Sequence, residues 1–247
     1  MKFKLFSLLW LAGMLGEVTL LWADLPLPTD DLPLALPVIK LLALLQSTII
    51  LSLAVFVGVA FASRVKLAAP FLESIAQGSA SAIRALKKQV VPGIIGGFVS
   101  AGLVLAWFAL LKPSLPPEFL AASAEFTLPW FVRILRGGIS EEIVMRWGLM
   151  TLLVWLPWRI LQRRQGSPRP AYVITAIGLS ALTFGLLHLP AAFLLSSTVP
   201  PALVLYIIVG NALFGLIAGY LYWKTGLEAA ILAHGLFHIL IIIAQPG

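Results

Sequence analysis

The chain has no cysteine. That excludes disulfides, a thiol nucleophile and a thiolate metal site, and it leaves the redox compartment unread. Charge is scarce too: 11% of the 247 residues are Asp, Glu, Lys or Arg, against ~25% in soluble domains. Asn211 is the only asparagine, and there are three histidines. No internal repeat and no soluble domain is visible. The formal charge is +7, but the cations gather in loops, as in a protein that meets anionic lipid. No nucleic acid is needed to explain them.

What is present is apolar sequence in long runs: 60% of residues are hydrophobic. Several runs reach the ~20 residues that span a bilayer. The expected fold class is all-α: a polytopic membrane helical bundle of seven to eight transmembrane helices with an amphipathic surface helix. It forms a single membrane domain over 1–247, and membrane lipid is its first partner. Spans are expected at about 5–22, 38–62, 93–111, 140–161, 172–188, 203–223 and 227–244. The first follows Lys2 and Lys4 and is interrupted by Glu17. It resembles a signal peptide, but it is long and no small-x-small site follows.

The connecting segments carry their own expectations. An acidic, proline-rich loop covers 24–37, with Asp30 and Asp31. Over 63–91, Arg64, Lys66, Arg84, Lys87 and Lys88 alternate with small and apolar residues, as in a helix lying on the membrane surface. A solvated basic loop that fixes topology is the plainer alternative. Residues 119–136, with Glu125, Pro129, Arg133 and Arg136, read as an interfacial segment leading into the next helix. Residues 190–201 hold no charge and read as a loop or a half-buried helix. Gly215-x-x-x-Gly219 reads as close helix packing.

One stretch departs from this apolar background: Ser140-Glu141-Glu142-Ile143-Val144-Met145-Arg146. Ionisable groups at membrane depth are costly and mark function by default. Glu142 and Arg146 are four apart, in the favourable order for an ion pair on a helix. Glu141 is turned away from that face. The bland alternative is a helix start after Gly137-Gly138, decorated by carboxylates that suit its dipole. The histidines weigh against it. His188 closes the run from Ala181 to Leu187, and His234 and His238 share one face of the last helix. All of the chain's histidines therefore fall in two membrane segments.

Glu141-Glu142-x-x-x-Arg146, Phe184-x-x-x-His188 and His234-x-x-x-His238, in this order, resemble the CPBP family of intramembrane proteases. These are the type II CAAX prenyl endopeptidases and their bacterial relatives. The resemblance covers roughly 130–244, which is the expected catalytic core. Two positions depart from the family's pattern. Trp147 separates Arg146 from Gly148, where the family has Arg-Gly, and His238 stands where Asn or Asp is usual.

The resemblance implies an intramembrane endopeptidase of a prokaryotic cell membrane. Its substrate would be a membrane-associated peptide or protein, prenylated in the CAAX case. Glu141 would be the base that activates water, with His188 sharing the water or its proton. Arg146 would hold Glu142, giving orientation rather than chemistry. His234 would donate to the oxyanion, and His238 would take the asparagine's role. No cofactor is firmly expected. Zinc is the open alternative, with Glu141, His188, His234 and His238 as candidate ligands. Competing functions are a catalytically silent membrane partner of the immunity type, and an intramembrane proton relay or transporter. The last would call for internal symmetry or broken helices in both halves, and neither is legible.

Seven spans would put Lys2, Lys4, Arg64, Lys66, Arg84, Lys87, Lys88, Arg159, Arg163, Arg164, Arg169 and Lys224 on one side. Lys40, Lys112, Arg133 and Arg136 would lie on the other. The positive-inside rule assigns the first set, with the N-terminus, to the cytoplasm.

Overall fold

The computed structural model of the chain describes residues 2–24, 34–126 and 128–244. Asp30 and Asp31 lie outside them. All regular structure among the described residues is helical. We label the helices α1 (Lys2–Val18), α2 (Leu36–Phe61), α3 (Pro70–Ala76), α4 (Ala82–Leu111) and α5 (Pro117–Glu125). The rest are α6 (Trp130–Ile160), α7 (Pro170–Leu187), α8 (Leu189–Leu194), α9 (Pro201–Lys224) and α10 (Leu227–Ala244). Among the described residues, seven helices are long and apolar enough to cross a membrane: α1, α2, α4, α6, α7, α9 and α10. The chain is an integral, multi-pass membrane protein. Proline stands in the first turn of α2, α3, α5, α7, α8 and α9, where its missing N–H has no partner to lose.

Two expectations need correction. Residues 63–91 do not form one surface helix. They divide into a 3-10 turn, the short α3 and the first turns of α4. Arg84, Lys87 and Lys88 thus belong to the rim of a span. That span carries Pro92 in its interior, at the point where a new helix was expected to begin. Residues 119–136 are likewise divided. α5 holds the first part, and Arg133 and Arg136 already lie within α6. The glutamates therefore sit well inside a long span rather than at a helix start. Residues 190–201 are partly the short α8 and partly irregular chain, in line with the expected loop or half-buried helix.

Small residues let the spans approach closely. α10 lies on α4, where a Cβ added to Gly93 or Gly97 would come within 2.8 or 2.9 Å of Leu232 or Leu236. The Gly215-x-x-x-Gly219 face packs on Ala181 and Ile177 of α7, which is helix packing as expected. α6 is gripped between α1 and α2 on one side and α10 on the other. Gly148 of α6 meets the backbone of α2: an added Cβ would stand 2.8 Å from Ala54 Cα. Gly148→Val should therefore lower stability by about 1–3 kcal/mol, the usual cost of overpacking. Thermal unfolding in detergent checks this; an unchanged midpoint would show that the α2–α6 contact has slack.

An odd number of spans puts Lys2 and Ala244 on opposite faces. With the basic face inward, a reporter fused after Gly247 should read as non-cytoplasmic. A cytoplasmic signal would contradict either the seven-span path or the charge assignment.

Candidate active site

α6 departs from α-helical geometry where the site is built. It is π-helical over Arg133–Glu141 and again over Ile143–Met150. In a π-helix the backbone bonds skip to the fifth residue, a form found mostly in short pieces at functional sites. Residues five apart then share a face. Arg136 and Glu141 are such a pair, with Arg136 Nη1 donating to Glu141 Oε1 at 3.2 Å. The same guanidinium donates through Nε to Glu17 Oε2 on α1, at 3.3 Å.

The neighbouring glutamate is held by different partners. Glu142 Oε2 is 3.1 Å from Arg146 Nε, and both side chains are fully buried. This is a charge pair without hydrogen-bond alignment, since the Arg146 nitrogens find no acceptor among the described residues. The guanidinium instead lies over the Phe184 ring, 5.5 Å from its centroid, a favourable seat for a desolvated cation. Glu142 Oε1 accepts a hydrogen bond from His234 Nδ1 at 2.9 Å. The expected Glu142–Arg146 pair is present. The contact with His234 adds a link that the sequence did not suggest.

A cavity of about 400 Å³ opens among α4, α6, α7, α9 and α10. Glu141, His188, His234 and His238 all line it, and so do Arg133, Arg136 and Asn211. Glu142 and Arg146 do not; they stand behind His234. His188 Nδ1 donates to Phe184 O at 2.8 Å, because a carbonyl can only accept. A neutral His188 is thereby fixed as the tautomer with a free acceptor at Nε2. The His234 ring is packed between Phe214, at 4.0 Å, and His238, at 4.8 Å and nearly parallel. His238 lies against the bare backbone of Gly137, where a Cβ would strike its Nε2. Neither of its ring nitrogens has a protein partner among the described residues. Gly137-Gly138 is therefore no helix terminus. It is the notch that admits α10.

Among the described residues, Asn211 bonds neither a site residue nor another helix. Its Nδ2 donates to Ile207 O, one turn back, at 2.8 Å. Arg136 and Glu17 were missed as site residues. A charge inside the first span was a signal for Glu17; the five-residue spacing of Arg136 and Glu141 carries meaning only once the π-helix is known. As for zinc, among the described residues no three His, Asp or Glu side chains come together in a metal-holding group. The Nδ1 bonds of His188 and His234 leave each Nε2 free, as in metal-ligating histidines, so the misfit with zinc rests on the spacing of Glu141 and the three histidines alone.

Comparison with known proteins bears on the same segment. No curated protein and no solved structure matches the chain. Residues 123–240 match the family model described as Type II CAAX prenyl endopeptidase Rce1-like. Those residues supply every acidic, basic and histidine side chain that lines the cavity. The matched segment is just under half of the chain, and its similarity to that family supports an intramembrane protease of the CPBP type.

Proposed function

We propose that the protein is an intramembrane endopeptidase that hydrolyses a peptide bond of a membrane-associated substrate. The observation that carries this reading is the shared cavity of Glu141, His188, His234 and His238 within an apolar bundle. Glu141 is the base. Its Oε1 is oriented by Arg136, and its Oε2 makes no hydrogen bond among the described residues, which leaves an oxygen for water. His188 Nε2 is the second acceptor for that water's protons. General-base assistance of this kind contributes ~10²–10⁴-fold.

His234 is the donor. Its Nδ1–H is taken by Glu142, so donation from Nε2 requires the imidazolium, for which Glu142 is the counter-ion. That cation stabilises the tetrahedral oxyanion, and a preorganised donor can contribute about 3 kcal/mol. It can then give its proton to the leaving amine. Arg146 holds Glu142 and so holds the His234 ring. His238, parallel to His234 and without a protein partner, supplies a further ring nitrogen where the family has Asn or Asp.

The apolar walls suit a substrate that arrives from the lipid, and a prenyl anchor is the finer form of this reading. It is tested with the purified chain in liposomes and lipid-anchored peptides carrying a prenyl, an acyl or no anchor. Fragment masses identify the bond. Cleavage of the prenylated peptide alone supports a CAAX-type substrate. Cleavage regardless of anchor supports a broader membrane peptidase, and no cleavage of any peptide favours the catalytically silent alternative.

A further inference from the structure

We propose that Glu17, on α1, is a positioning residue for Glu141 and acts through Arg136; this rests on the endopeptidase reading above. Glu17 is the only carboxylate of α1. Its side chain is only 5% exposed, within an otherwise apolar span where an unpaired charge would be costly. Its partner is Arg136, which bridges two carboxylates: Nε to Glu17 at 3.3 Å and Nη1 to Glu141 at 3.2 Å. A guanidinium is planar, and its N–H groups point in fixed directions. Fixing one edge with Glu17 therefore fixes the direction from which Glu141 Oε1 is held. Glu141 Oε2 is the oxygen left for water.

The register of α1 against α6 is set by backbone contact at the same level. Ser140 Oγ donates to Gly13 O at 2.7 Å. At Gly16 an added Cβ would strike Ser140 Oγ and stand 2.9 Å from Arg136 Cα. α1 is thus locked to the turn of α6 that runs from Arg136 to Glu141. Because Arg136 is shared, its hold on Glu141 depends on a residue more than a hundred positions away. α1 also lies outside the matched residues 123–240. The family segment alone, like the 130–244 core expected from the sequence, omits this support for the base.

The test uses the full chain in liposomes with a lipid-anchored peptide. Glu17→Gln should lower kcat by ~10- to 100-fold, the cost of a small misplacement of a reacting group, with KM within about twofold. In an Arg136→Gln background the same substitution should change kcat little, because the relay is already cut. A purely structural Glu17 would instead lower the amount of folded protein, or lower kcat equally in both backgrounds; either result overturns the proposal, as does unchanged kcat. A second arm does not need turnover. Unfolding midpoints are compared for Glu17→Gln, Glu141→Gln and the double substitution. Coupling through one guanidinium predicts that the double substitution, which leaves Arg136 with neither carboxylate, lowers the midpoint by more than the two single shifts together. Additive shifts overturn the proposal even where wild type cleaves nothing, an outcome that separately removes the endopeptidase reading.

Discussion

Glu141→Ala should abolish measurable turnover while leaving the fold intact. The substitution removes the one carboxylate that both lines the cavity and keeps an oxygen uncommitted. Loss of a general base costs ~10²–10⁴-fold, and His188 alone cannot recover it from a backbone-bonded ring. Stability should change little. The Glu141 side chain is 22% exposed, and its partner Arg136 keeps Glu17 when Glu141 is gone, so no buried charge is stranded. Turnover and unfolding midpoint, read on one preparation, check both halves. Equal turnover in wild type and variant would remove Glu141 from the mechanism.

Arg146→Ala should have the opposite signature, a loss of about 3–5 kcal/mol of stability, as when one member of a buried ion pair is removed. Both side chains of this pair are fully buried. Without the guanidinium, Glu142 keeps only His234 as a partner, in a part of the bundle closed to water. The substitution also removes the cation that lies over the Phe184 ring. Replacing both partners at once, Glu142→Gln with Arg146→Met, should recover much of the stability, since the desolvation cost falls on charges that are no longer present. Turnover should not return in that double variant, because the His234 imidazolium has lost its counter-ion. Unfolding in detergent measures the first effect, and a midpoint within a degree of wild type would show that Glu142 reaches water.

Much of this was legible in the sequence. The spans follow from apolar runs that only a bilayer explains. The Glu142–Arg146 pair follows from i,i+4 spacing, which held although the segment is π-helical. Motifs set at one depth on three helices meet in one cavity, because ionisable groups in a membrane must face each other or water. The start of α6 was not legible. Two arginines and Gly137-Gly138 look like a break, and their compatibility with a span rests on contacts from α1 and α10. Nor does any local pattern announce a π-helix, so the Arg136–Glu141 pair stayed hidden. Glu17 was visible as an intruder in the first span. Its partner was not, because pairing across 119 positions is a tertiary fact. The basic stretch 63–91 was misjudged because a rim of cations on a spanning helix has the same composition as a surface helix.

The central claim is that two adjacent glutamates divide the labour, Glu141 for chemistry and Glu142 for holding His234. The most direct measurement sets Glu141→Gln beside Glu142→Gln and reads turnover of a lipid-anchored peptide and the unfolding midpoint for each. Glu141→Gln should lose turnover by ~10²-fold or more and keep the wild-type midpoint. Glu142→Gln should lower the midpoint sharply, because it strands Arg146 as a buried, unpaired charge. A reversed pattern, with the stability loss in Glu141→Gln and turnover lost at an unchanged midpoint in Glu142→Gln, would contradict the division of roles.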